Sequence, residues 1–272
     1  MPIGITCLVF ARVDKIDLKG DLYLPEGAGP HPVLVTAPGG GWRRGDKSQL
    51  AHWGSYLAAQ GIAVLVIDYR RSTAGKVFPQ NLEDVASALA FVRDQGPGLS
   101  LDPDRLGLLG ASAGAHLAAL AALKDADRPT FPVRVLVGVY GVYDLVSHWQ
   151  TDLDRNAAQG EDPTERMLGA TPFDDQDLYF EASPLRKVGY ARNALKVLLV
   201  WGQEDTDILP AQSEAFARSL RQARFMVRTI PVPAAGHFWF SEEQIASDTF
   251  SGAVAPRLGA FLRQHLLGGG RP

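Results

Sequence analysis

The chain has 272 residues, of which 46% are apolar and 21% charged, with a mean hydropathy of −0.04, values that exclude disordered, collagen-like and coiled-coil classes. Lys and Arg number 27 against 30 Asp and Glu, a net charge of −3, so there is no positive field to hold a nucleic-acid backbone. The one cysteine, Cys7, excludes an intramolecular disulfide and a cysteine-rich metal site. No apolar run reaches the roughly 18 residues of a membrane span. Met1-Pro2-Ile3-Gly4 is not a basic stretch leading into an apolar core, so a cytoplasmic location is expected.

In chain order, short apolar runs alternate with helical patterns. The predicted strands are Phe10–Ile16, Asp21–Leu24, Val33–Ala37, Ala63–Asp68, Arg105–Leu109, Arg134–Val139, Val197–Trp201 and Phe225–Ile230. Several are almost wholly apolar, the mark of parallel strands covered on both faces by helices. A helix is expected after Asn81, as N-cap, with apolar residues at Leu82, Val85, Ala86, Leu89 and Val92. Ala113 to Leu123 reads as a buried helix, and Ser213–Ala223 and Ala255–Leu267 as amphipathic ones. The alternation predicts one α/β domain over residues 1–272 with an eight-stranded, mostly parallel sheet. Residues 147–188 interrupt the rhythm after the sixth strand. They are polar, and 151–181 hold nine acids against two arginines. Such an excursion is expected to be a lid or cap over a site. The tail 268–272 is expected to fray.

The segment Gly110-Ala111-Ser112-Ala113-Gly114 follows a strand and opens a helix. A sharp strand-to-helix elbow needs small residues on both sides of the serine. It lifts the Ser112 hydroxyl above the sheet and sets the Ala113 N–H at a helix N-terminus, where negative charge is stabilised. A serine needs a base, and the base needs an orienting carboxylate. Of six histidines, His31 precedes a strand expected at the opposite edge of the sheet, His52, His116 and His265 sit in helical stretches, and His148 starts the excursion. His237 alone follows the last strand, so it is the expected base. The acid should leave the strand before it. In Gly202-Gln203-Glu204-Asp205-Thr206-Asp207, Asp205 has the reach of a turn tip, with Asp207 next. The glycines of Pro38-Gly39-Gly40-Gly41-Trp42 would let main-chain N–H groups approach a carbonyl oxygen.

These pieces in this order resemble the α/β-hydrolase superfamily. More narrowly, the chain is similar to carboxylesterases of the hormone-sensitive-lipase and feruloyl/acetyl-esterase-like (BD-FAE-like) type. The resemblance runs from about Asp21 to His265 and includes Gly39–Lys47, Asp68-Tyr69-Arg70, Gly110–Ala118, Tyr140–Leu145, Ala182–Leu185 and Gly202–Asp205. It implies a triad of Ser112, Asp205 and His237, with oxyanion-hole amides from Gly40, Gly41 and Ala113. Where relatives carry His before the glycines, this chain has Pro38, so another group must hold that loop. Asp68, Arg70 and Asp84 read as structural polar residues beneath the site. Trp42, Tyr143, His148, Trp149, Phe238 and Trp239 are the aromatic candidates for substrate contact.

The expected activity is hydrolysis of small to medium acyl esters by a serine carboxylic ester hydrolase, through an acyl-enzyme, with no cofactor and no metal. The rivals are an arylformamidase or amide hydrolase on the same triad, and a non-catalytic ligand-binding protein of the same fold. Expected partners are a small-molecule ester and, as an option, a second copy of the chain in a homodimer; neither nucleic acid nor membrane is expected. The acids of the excursion should repel anionic substrates.

Overall fold

The computed structural model describes residues 4–124, 131, 133–156 and 162–268. An eight-stranded sheet runs in the spatial order β1-β2-β4-β3-β5-β6-β7-β8. β1 (Gly4–Val13) and β2 (Ile16–Leu24) form an antiparallel hairpin, and β2 pairs antiparallel with β4. β3 (His31–Ala37), β4 (Ala63–Ile67), β5 (Leu101–Ala111), β6 (Val133–Val139), β7 (Lys196–Gly202) and β8 (Met226–Val232) are parallel to one another. Every residue of β4 is buried, as are all of β3 and β7 beyond their first residue. Each fully buried Val or Leu stabilises by about 1.5–3 kcal/mol, and that is why these strands read as unbroken apolar runs.

Helices cover both faces. They are α1 (Ala51–Ala58), α2 (Gln80–Gln95), α3 (Ala113–Leu123), α4 (Leu145–Asn156), α5 (Pro163–Leu168), α6 (Gln176–Ala182), α7 (Pro210–Gln222), the single turn α8 (Trp239–Glu242) and α9 (Phe250–Leu262). α3 is buried at all positions but Ala121. Among the described residues no helix is long and apolar enough to cross a membrane.

Several expected boundaries move. The predicted strand Phe10–Ile16 spans a hairpin turn: Asp14 and Lys15 sit at φ 49° and 65°, the left-handed pair of a two-residue hairpin loop, with no glycine to mark it. Asn81 is not the N-cap of α2. Pro79 holds that place and Asn81 is buried in the first turn, where its Oδ1 accepts the Leu82 N–H. α7 and α9 begin earlier than their periodicity suggests, at Pro210 and Phe250. Pro at the first position of α7 and the Thr249 side chain capping α9 account for those starts. His31 opens β3, which lies beside β5 and not at the sheet edge; it is remote from the elbow because it sits at the strand's other end. The excursion is helical, carrying α4, α5 and α6. Of the tail expected to fray, residues 269–272 lie outside the described residues, as do 157–161 of the excursion.

Candidate active site

The loops that matter all leave the carboxyl ends of parallel strands, where open α/β sheets gather their sites. Ser112 links β5 to α3 at φ 54°, and its N–H is fixed by the Val139 carbonyl at 2.9 Å. This left-handed serine turn brings backbones together. A Cβ on Gly110 would collide with the Gly114 carbonyl oxygen, and one on Gly114 with the Ala37 and Pro38 carbonyl oxygens. Both positions therefore demand glycine.

His237 stands in the loop after β8, in contact with the rings of Tyr140 and Phe238 at centroid distances of 4.3 and 4.5 Å. Its Nε2 lies 3.1 Å from Ser112 Oγ and its Nδ1 2.7 Å from Asp205 Oδ2. A carboxylate only accepts, so Nδ1 carries the proton and Nε2 is left to accept the serine hydroxyl. Asp205, 2% exposed, takes two further N–H bonds on Oδ1, from Asp207 and Ile208, both at 2.9 Å. Those amides fix the carboxylate's orientation. Glu204 is exposed, and Asp207 is turned away to pair with Arg155. The three expected residues thus form one hydrogen-bonded line, with Asp205 and not Asp207 in it.

The Gly40–Gly41 turn and Ala113 line the same cavity as Ser112 and His237, a volume of about 310 Å³. Ala113 is the first residue of α3, so its N–H belongs to the first-turn donors that a helix cannot satisfy itself. The loop that has Pro38 in place of histidine is held by Tyr69, whose hydroxyl donates to the Pro38 carbonyl at 2.9 Å. Arg70 is bound by buried Asp84 through both main chain and side chain, and Asp68 Oδ1 accepts the Lys47 N–H at 3.0 Å; these residues brace the strand ends beneath the site.

Of the six aromatic candidates, Trp42, His148 and Phe238 line the cavity. Tyr143, Trp149 and Trp239 do not. Tyr143 is fully buried and stacked on Phe216 at 4.2 Å. Trp149 donates to Glu165 at 2.6 Å and packs its edge on Phe173, facing a second cavity between α4 and α6. Trp239 packs among Tyr140, Phe240 and Phe250. For Trp149, closeness in sequence to His148 misled, because neighbouring residues on a helix point about 100° apart.

Sequence reading named His148 but missed the polar wall it belongs to. His148, Asp152 and Arg155 lie at i, i+4 and i+7 on α4, one helix face, and all three face the cavity. That spacing was the available signal. Arg43 and Arg44 join them from the glycine loop. The excursion's acidic count therefore misstates the charge at the site: three arginines line it, against Asp207, which pairs with Arg155, and Asp152. The lining therefore does not carry the acidic excess on which the expected repulsion of anionic substrates was built. Burial, reinforced by Asp162, pushes the Asp152 carboxyl up to about 7, and burial drives neighbouring His148, 3.4 Å away, down to about 3, so His148 is neutral at pH 7 while Asp152 gains its charge only around that pH. Among the described residues no three His, Cys, Asp or Glu side chains gather so as to hold a metal ion.

Residues 20–220 match the family model described as BD-FAE. The chain belongs to the BD-FAE family. Among curated relatives, Esterase LipC of Mycobacterium tuberculosis is 32% identical over 248 residues, covering 86% of this chain and 59% of its own. Isoprenylcysteine alpha-carbonyl methylesterase ICME of Arabidopsis thaliana is 29% identical over 220 residues, covering 74% of this chain and 49% of its own. The chain spans about half to three-fifths of the length of the curated relatives it matches. Among solved structures, a bacterial heroin esterase superposes with a TM-score of 0.82 at 23% identity, over 97% of this chain and 84% of that one. Carboxyl esterase 2 of Tuber melanosporum superposes at 0.80 and 23%, over 97% and 88%. The fold of this BD-FAE chain is thus the α/β-hydrolase fold expected from its motifs.

Proposed function

We propose that this BD-FAE chain is a serine carboxylesterase acting on small to medium acyl esters. The observation that carries the reading is the unbroken line Asp205–His237–Ser112, ending in a cavity that Gly40, Gly41 and Ala113 also line. Ser112 Oγ attacks the ester carbonyl carbon while its proton passes to His237 Nε2. The carbonyl π electrons move onto oxygen, and the main-chain N–H groups of Gly40, Gly41 and Ala113 stabilise that oxyanion; one such donor is worth about 3–4 kcal/mol elsewhere. As the intermediate collapses, the C–O bond to the alcohol breaks and His237 returns the proton to the departing oxygen. Water, deprotonated by the same imidazole, then attacks the acyl carbon, the bond from that carbon to Ser112 Oγ breaks, and His237 returns the proton to the serine oxygen. Asp205 holds the tautomer and stabilises the imidazolium.

A volume of about 310 Å³ admits a short acyl chain, and α4 and α5 act as a cap because His148, Asp152, Arg155 and Pro163 form one wall of it. The names of the relatives support ester over amide as the substrate class. The test is a series of p-nitrophenyl esters from acetate to dodecanoate on the pure protein. Release of p-nitrophenol should be fastest for short acyl groups; no release from any member would overturn the reading.

A further inference from the structure

The turn that would carry two oxyanion donors is held in an unfavourable shape. Gly40, Gly41 and Trp42 follow one another at φ 113°, 56° and 57°. Glycine tolerates that region, but for tryptophan it costs about 1–2 kcal/mol, and such a conformation persists only where its surroundings over-determine it. The backbone of Trp42 is held on one side by Ser72, whose N–H and hydroxyl reach the Trp42 carbonyl at 2.9 and 3.3 Å. The indole is held on the other side by a residue with no part in the proposed chemistry.

That residue is His116, one turn past Ser112 on α3 and fully buried. Its Nδ1 accepts the Trp42 Nε1–H at 3.1 Å, with the two rings edge-to-face at 5.2 Å. Its Nε2 faces the Ala182 carbonyl at 2.7 Å. A carbonyl can only accept, so Nε2 carries the proton and Nδ1 has its lone pair free for the indole. Both ring nitrogens are then satisfied by one tautomer. Burial holds this imidazole down at about 4, keeping it neutral across the physiological range. One side chain therefore joins the glycine turn, the helix that begins at the nucleophile, and the end of α6.

We propose that His116 is a positioning residue for acyl transfer, fixing the Gly40–Gly41 turn over Ser112 through the Trp42 indole and tying that turn to α6 through Ala182. The proposal rests on Ser112 being the nucleophile. Displacing a reacting group by about 1 Å can cost on the order of 10²-fold, and deleting a single oxyanion donor 10²–10³-fold, so a loosened turn should lie near or below the lower of these.

The experiment compares His116→Asn, His116→Gln, Trp42→Phe and the double variant Trp42→Phe with His116→Gln in p-nitrophenyl acetate hydrolysis. Asparagine can set a carbonyl oxygen near the place of Nδ1 and keep the indole bond. Glutamine matches the histidine more closely in length but sets its amide near Nε2, toward Ala182. The expected result is that His116→Asn keeps kcat within about 3-fold of wild type. His116→Gln and Trp42→Phe should each lower kcat by roughly 10- to 100-fold with KM little changed, and the double variant should be no slower than the slower single one. A packing role alone predicts that glutamine is tolerated at least as well as asparagine. That order, multiplicative losses in the double variant, or losses carried by KM would overturn the proposal. If the His116 variants do not fold, Trp42→Phe decides, since an undiminished kcat there overturns it too. Fluorophosphonate labelling of Ser112 in the wild type separates the two readings. Without that label the nucleophile assignment falls; with it, a wrong variant order counts against His116 alone.

Discussion

Replacing Asp152 by asparagine tests the electrostatics of the cavity wall. The Asp152 side chain is 6% exposed, 3.4 Å from His148, and accepts from the Thr164 hydroxyl at 3.5 Å. Its carboxyl is raised from 3.8 to about 7, chiefly by burial. A group whose pKa is raised on folding contributes stability that is full below the unfolded value and is lost as pH rises through the folded value. Here the loss begins near pH 4 and is complete a little above 7. At about 1.4 kcal/mol per pH unit, that window corresponds to at most on the order of 4 kcal/mol, less whatever water at the cavity mouth screens. Asparagine keeps the acceptor for Thr164 and does not titrate. The stability of Asp152→Asn relative to wild type should therefore rise by up to about 3 kcal/mol between pH 5 and pH 8, a difference in Tm growing by roughly 6–12 °C for a chain of this size. His148 shifts the other way, losing stability as pH falls below its ordinary range, a contribution present in both proteins. Thermal unfolding of the two proteins at pH 5, 6, 7 and 8 measures it. A Tm difference that stays constant over that range would refute the burial argument.

Two further substitutions separate residues that the sequence placed together. Asp205→Asn should leave the fold intact and lower kcat by about 10⁴-fold, because the amide favours the wrong imidazole tautomer. Asp207→Asn should change kcat by less than about 10-fold, as Asp207 meets Arg155 and not His237; equal losses from both would show that the carboxylates share the role. Trp149→Ala should cost about 3–5 kcal/mol in chemical denaturation, through the space left beside Phe173, and leave KM for p-nitrophenyl acetate within about 2-fold. A large rise in KM without loss of stability would return Trp149 to the substrate site.

What could be read from the chain and what could not divide along physical lines. Val33–Ala37 and Ala63–Ile67 announced themselves because strands covered on both faces are apolar at nearly every position, Thr36 being the one polar residue among them, and their ends located the loops that carry the site. Ser112 was legible because close approach of the main chain around it leaves Gly110 and Gly114 no alternative. His237 followed from its place after the last strand, and Asp205 from the strand before it together with its reach at a turn tip, with Asp207 as the second choice. The hairpin at Asp14-Lys15 was not legible, since its left-handed turn is made by residues that carry no turn signature as strong as glycine. The cavity wall was missed for a different reason. A count of charges along residues 151–181 says nothing about which side of a helix each occupies, and the face bearing His148, Asp152 and Arg155 turns inward while other acids of that segment, among them Asp154 and Asp177, face solvent. Likewise, Trp149 is adjacent to a cavity residue in sequence and faces away from it in space. The tie between Trp42 and His116 spans 74 residues, which no local pattern reports.

The central claim is that Ser112 is the nucleophile activated by His237. Its most direct measurement is fluorophosphonate labelling of the pure protein followed by peptide mass spectrometry. One adduct is expected, on the peptide containing Ser112, with labelling slowed by orders of magnitude in His237→Ala and absent in Ser112→Ala along with nearly all ester turnover, a loss on the order of 10⁶-fold in a comparable triad. An adduct on another residue, or esterase activity that survives Ser112→Ala, would contradict the account.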